Sequence, residues 1–197
     1  SLLPPVPPPP LAPTLLSDSM VIAANKYYKA QYLNDPNDHV SRLIGGIFYK
    51  VNRPNHALAH SVRKAALALD VIGILKTTNY QASAWVKYFT NPANAAYNPN
   101  FEQQLSFGML MFRSGRSSEG NDPVQYKTDC NRSAQYFAAE APATGIFPNQ
   151  KDIDDFVFAM QTVGDHSKCY DHDPITKTDT YTAARGCTQD RYYVYNF

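Results

Sequence analysis

Apolar positions along this chain recur mostly at steps of three and four residues. The clearest run lies between His56 and Lys76, where Leu58, Val62, Ala65, Ala66, Leu69, Ile72 and Gly73 follow such steps. That is the period of a helix burying one face. Ser17-Asp18 can cap a helix over Met20 to Leu33. A short helix is predicted from Asp38 to Phe48, and another from Ala82 to Phe89. Phe101 to Phe112 is apolar nearly all round and reads as a central, buried helix. Val124 to Ala141 carries Tyr126, Cys130, Ala134 and Phe137 on one stripe, and Asp152 to Val163 presents Ile153, Phe156, Val157 and Met160. The breaks are rich in Pro and Asn, at 34–37, 53–55 and 91–100. Strand-like alternation is confined to the last six residues, Tyr192 to Phe197. The pattern predicts an all-α, compact multi-helix domain.

Composition adds organisation. With 197 residues, 44% of them hydrophobic, the chain can bury a core of its own without staples. Residues 1–16 read as a proline-rich arm or linker, with Pro4, Pro5, Pro7, Pro8, Pro9, Pro10 and Pro13 favouring polyproline II over helix. Residues 17–197 form the helical domain. The aromatic tail suits a domain cut from a larger protein. Basic and acidic side chains nearly balance, 18 against 17, which argues against a nucleic-acid binder. The longest membrane-span candidate, Ala65 to Leu75, is too short and is interrupted by Asp70. The N-terminus lacks the charged and apolar regions of a signal peptide. Three cysteines, Cys130, Cys169 and Cys187, make no disulfide framework and suggest a reducing compartment, with a single Cys169–Cys187 bridge left open.

Three segments hold candidate chemistry. In Arg53-Pro54-Asn55-His56-Ala57-Leu58-Ala59-His60-Ser61-Val62-Arg63, His56 and His60 share a helix face and Arg63 follows on the same side. Imidazoles and a guanidinium near a helix N-terminus can hold a phosphate, attack phosphorus or move a proton. The bland reading is a capping His56 and a satisfied, half-buried His60. The polar loop from Arg113 to Glu119 offers Arg113 and Arg116, whose forked donors match phosphate oxygens; its bland reading is a solvated connection. Asp165-His166-Ser167-Lys168 places His166 at a helix end, as a proton donor or simply as a C-terminal cap. Asp171-His172-Asp173 has metal-ligand side chains, but Pro174 follows at once and the run sits outside any helix, which disfavours a metal site.

Taken together, Arg-Pro-Asn-His-x-Leu-Ala-His-x-x-Arg, then Phe-Arg-Ser-Gly-Arg-x-x-Glu, then a late His motif resemble the phosphodiesterase domain of the SidE family of Legionella effectors, over about residues 42–172. The resemblance implies a mostly α-helical fold and a metal-independent, cofactor-free reaction. In that reaction the pyrophosphate of ADP-ribosylated ubiquitin is cleaved, AMP leaves, and phosphoribosyl-ubiquitin passes to a serine or to water. Carried over, it implies His60 as nucleophile, Glu119 as support for the imidazoles and the ribose, and His166 as general acid and base. Arg53, Arg63, Arg113 and Arg116 would hold phosphate, Asn55 would bind phosphate or nucleotide, and His56 would shape the pocket. The implied ligand is an adenine nucleotide or an ADP-ribosyl group, with modified ubiquitin as the family's protein substrate. The implied setting is a secreted effector acting in the host cell cytoplasm. The region that covers substrate in the full enzymatic domains is not identifiable in this chain. The alternative is therefore a non-catalytic AMP- or ADP-binding module of a larger bacterial effector.

Overall fold

A computed structural model describes residues 17–32, 39–52, 58–117 and 122–197. The proline-rich segment lies outside them, as do Arg53, Asn55, His56 and Glu119. The described residues form a helical domain with two small antiparallel hairpins. In chain order these are α1 (Asp18–Tyr32), β1 (His39–Ile44), β2 (Ile47–Asn52), α2 (Leu58–Thr77), α3 (Gln81–Thr90), α4 (Phe101–Met111), α5 (Pro123–Glu140), α6 (Gln150–Gly164), β3 (Tyr170–His172), β4 (Asp179–Tyr181) and α7 (Gln189–Asn196).

The central helix is α4, as its all-round apolar sequence predicts. Phe101, Leu105, Phe107, Leu110 and Met111 are buried, and so are the polar Gln104 and Ser106. Each buried polar group is matched. The Gln104 amide donates to the Ile146 carbonyl at 2.9 Å and accepts from Asn98 at 2.7 Å. Ser106 donates to the Ala65 carbonyl at 3.3 Å, tying α4 to α2. Tyr28 of α1 donates to the Leu110 carbonyl at 2.7 Å and accepts from Ser61 of α2 at 2.7 Å. These bonds fix the register of three helices, because leaving any such group unpaired in the core costs about 1–3 kcal/mol. Phe107, Phe137, Phe147 and Phe156 fill the space between α4, α5 and α6, with ring centroids 5.4–6.3 Å apart.

Two glycines set how closely the helices approach. A Cβ on Gly108 would lie 3.0 Å from the Phe156 ring. One on Gly164 would lie 2.9 Å from both Lys127 Cα and Cys130 Cβ, so the end of α6 rests directly on the α5 backbone.

Two sequence expectations are overturned. The helix predicted for Asp38 to Phe48 is a hairpin, paired from His39 with Asn52 to Ile44 with Ile47. Gly45 and Gly46 have φ of 59° and 82°, the left-handed pair that a two-residue hairpin turn requires. The strand predicted for Tyr192 to Phe197 belongs to α7. The Thr188 hydroxyl caps that helix through Arg191 N–H at 3.4 Å. Tyr88 and Lys151 both bond the Asp190 carboxylate, at 2.6 and 2.7 Å. Arg191 bonds buried Asp155 at 2.9 Å.

The Cys169–Cys187 bridge, left open by the sequence, is closed. Both half-cystines are fully buried against Phe158. This runs against the reducing compartment suggested by the odd cysteine count. Cys130 is a buried thiol.

Candidate active site

The described candidate residues come from α2, from the turn after α4 and from the segment after α6. On α2, His60 is half-buried and Arg63 is exposed. One turn beyond His60 on the same face, Lys64 lies with its ammonium 5.1 Å from the centre of the Phe112 ring. That contact brings α2 to the Phe112-Arg113-Ser114-Gly115-Arg116 turn. The Arg113 guanidinium in turn lies 5.3 Å from the centre of the Tyr126 ring of α5.

The turn is held tightly by α5. Gly115 N–H donates to Ser133 Oγ at 2.9 Å, and Arg132 donates to the Gly115 carbonyl at 2.9 Å. Ser117 and Gln125 both donate to one oxygen of buried Asp129, at 2.8 Å each. A Cβ at position 115 would lie 2.3 Å from Ser133 N and 2.7 Å from Asp129 O. The glycine of this motif is therefore a packing requirement. The turn cannot be moved without moving Arg113. Ser114 Oγ is buried with no hydrogen-bond partner among the described residues.

His166 stands at the far end of this line. Its Nδ1 is 2.6 Å from the Tyr195 hydroxyl of α7, whose ring lies edge-on to the imidazole. The histidine sits in a short 3-10 turn, His166–Lys168, opened by Asp165. Asp165 accepts from the Ser167 N–H and hydroxyl through one oxygen and from Lys127 through the other, at 2.6 Å. The Lys127 bond first, and the Ser167 hydroxyl second, hold its carboxyl below the usual range. Arg185 closes the turn from the other side. It donates to the carbonyls of Ser167 and Tyr170 and to Asp171. The disulfide ties the same stretch to the residues just before α7.

Electrostatically, the surface from α2 to α7 is a chain of neighbouring polar groups. Lys64 is pushed down to about 8, first by burial and then by Arg113. Burial raises Tyr126, with Cys130 adding to the effect and Arg113 opposing it. Burial also raises Tyr195, helped by Tyr192 and Tyr126. Lys64 and Arg113, and Tyr126 and Tyr195, are thus electrostatic neighbours, with Arg113 on the Tyr126 ring and Tyr195 bonded to His166. Beside it runs an apolar groove of about 220 Å³ between α4, α6 and α7, with Phe112 and Tyr195 in its walls. A larger, polar cavity of about 430 Å³ is lined by Asp152, Asp155 and Asp190 together with Lys151, and Lys151 already bonds two of those carboxylates.

Arg113 rests on Tyr126 and His166 on Tyr195, two tyrosines that influence each other electrostatically, and α2, which carries His60 and Arg63, approaches the Arg113 turn through Lys64. Arg116 is half-buried beyond the Gly115 turn. No group of His, Cys, Asp and Glu among the described residues could hold a metal ion. His172 instead bonds Asp179 across the second hairpin at 2.8 Å. Sequence reading missed Lys64, Tyr126, Tyr195 and Arg185. Among the described residues, no helix is long and apolar enough to cross a membrane.

The family model of the SidE phosphodiesterase (PDE) domain matches residues 27–186. No curated protein matches the chain.

Proposed function

Because the chain belongs to the SidE phosphodiesterase domain family, we propose that it cleaves a phosphodiester of the ADP-ribose pyrophosphate type. In this reading His60 and His166 act from opposite sides of a phosphate held by arginines. The observation that carries the proposal is the series of electrostatic neighbours from α2 through Arg113 to His166. It spans three motifs that lie far apart in the sequence.

The reaction follows from the residue types. A neutral His60 imidazole attacks the phosphorus that carries the ribosyl group, forming an N–P bond as the pyrophosphate P–O bond breaks. AMP leaves, and the proton its departing oxygen needs comes from His166, which the Tyr195 hydroxyl orients. Water or a serine hydroxyl then attacks the phosphorus, forming an O–P bond as the N–P bond breaks and His60 is freed, with His166 taking the nucleophile's proton. Arg113, Arg63 and Arg116, together with Arg53, neutralise the charge on the equatorial oxygens. Glu119 would support the imidazoles and bond the ribose, with Asn55 binding phosphate or nucleotide and His56 shaping the pocket. An adenine nucleotide is the leaving group in this reading. ADP-ribosylated ubiquitin is the candidate protein substrate, met in a host cytoplasm by a secreted effector. Burial of the Cys169–Cys187 bridge would limit its attack by thiols there.

The test is calorimetric titration of AMP, ADP and ADP-ribose, followed by chromatography for AMP released from ADP-ribose and from ADP-ribosylated ubiquitin, on the wild type and His60→Ala. Binding with AMP release that the substitution abolishes supports the phosphodiesterase. Binding without release from ADP-ribose or ADP-ribosylated ubiquitin leaves a nucleotide-binding module, and no binding removes the pocket.

A further inference from the structure

Lys64 has no assigned role in the motifs above, yet it lies close enough to Arg113 for their charges to interact. It is half-buried, its ammonium faces the Phe112 ring, and it forms no ion pair with a described residue. The same is true of Arg113, which lies on the Tyr126 ring. Elsewhere on this domain the half-buried Arg191 is matched with Asp155 and Arg132 with Asp129, while Lys168 rests on the Phe158 ring. Two neighbouring cations resting on aromatic faces, with no ion pair to a described carboxylate, form a site suited to an anion.

We propose that Lys64 is a further phosphate-contacting residue of this site, acting with Arg113, and that it takes up a proton when an anionic ligand binds. The proposal rests on the phosphodiesterase reading above and adds to it a residue that the family motifs do not include.

The groups around Lys64 define its behaviour. On its own helix stand His60, one turn before, and Arg63. From the turn after α4 comes Arg113, whose charge acts against that of Lys64. On α1, Lys26 is engaged by Glu140 at 2.6 Å. On α3, Lys87 bonds the Thr78 carbonyl at 2.6 Å and Asn79. No described acid faces Lys64, so burial and Arg113 bring it down to about 8. A bound phosphate supplies the missing negative charge and restores the ammonium.

The experiment is calorimetry with AMP between about pH 7.5 and 9.5, where its phosphate is a dianion throughout. At about pH 8.5 it is repeated in two buffers of different ionisation enthalpy, so that the protons taken up are counted. The wild type should take up a fraction of a proton and lose about tenfold or more in affinity across the range. Lys64→Met should bind about tenfold more weakly at the low end, with no uptake and a flat profile. Lys64→Arg keeps its charge at every pH, so it should bind nearly as the wild type does at about pH 7.5 and also show a flat profile. If Lys64→Met matches the wild type in affinity and proton uptake, the inference is overturned while the pocket stands. If the wild type binds no AMP, the parent reading falls and this inference falls with it.

Discussion

Replacing Gly115 with alanine puts the site's architecture at risk through a single methyl group. The added carbon would lie 2.3 Å from Ser133 N, 2.7 Å from Arg132 C and 2.7 Å from Asp129 O. Carbon contacts are optimal at about 3.5–4.0 Å, so something must retreat by about an ångström. All three obstructing atoms are backbone atoms inside α5, and a helix interior does not yield as a side chain would. The turn has to move instead. Moving it stretches the Gly115 N–H bond to Ser133 and the Arg132 bond to the Gly115 carbonyl. Overpacking of this kind costs about 1–3 kcal/mol, and the strained bonds add about 1–3 kcal/mol. A loss of about 2–6 kcal/mol is therefore expected, together with displacement of Arg113. Urea unfolding followed by circular dichroism reads the first effect, and AMP affinity reads the second. A loss below about 1 kcal/mol with unchanged AMP binding would refute the close-packing argument.

Replacing both Cys169 and Cys187 with alanine should lower stability by about 3 kcal/mol, from the entropy of an 18-residue loop. Thermal unfolding of the variant against the wild type measures this, and equal melting temperatures would contradict it. Lys64 contributes a pH dependence of the opposite sign to that of a salt-bridged lysine. Its folded value of about 8 lies below the ordinary 10.5, so between these limits the unfolded chain binds more protons and stability rises with pH. At about 1.4 kcal/mol per pH unit the gain is at most about 3 kcal/mol. Urea midpoints of the wild type and Lys64→Met at about pH 7 and 9.5 should differ in slope, with the variant flatter and the more stable of the two at neutral pH. Tyr195→Phe removes the 2.6 Å bond to His166. It should cost about 1 kcal/mol of stability but lower the rate of AMP release about tenfold or more at unchanged AMP affinity. An unchanged release rate would show that Tyr195 does not orient the imidazole.

Local pattern made most of the helices legible. The three- and four-residue steps of α2, the all-round apolarity of α4 and the stripe of α6 each reflect a face that must be buried. Gly45-Gly46 was also a readable signal, since two glycines between runs rich in β-branched and aromatic residues favour a hairpin. The helical reading of that span gave the glycines too little weight. The last helix was harder to see. Tyr192, Tyr193 and Tyr195 favour strands by residue type, and the outcome is decided by Thr188 and by Asp190, whose partners Tyr88 and Lys151 lie on other helices. The site divides in the same way. Arg113 and His166 sit in motifs that chemistry alone singles out. Lys64, Tyr126, Tyr195 and Arg185 take their meaning from neighbours up to tens of residues away, which no local pattern encodes. Gly115 carried a motif signal, but its reason, contact with the α5 backbone, exists only in three dimensions.

The central claim is that a histidine of α2 receives the phosphoryl group while His166 serves the leaving oxygen. The most direct measurement is intact-protein and peptide mass spectrometry, without acid, on His166→Ala mixed with ADP-ribosylated ubiquitin. The account predicts an acid-labile phosphoribosyl-ubiquitin adduct on His60 that is absent from His60→Ala. An adduct confined to another residue, or AMP release undiminished in His60→Ala, would contradict it.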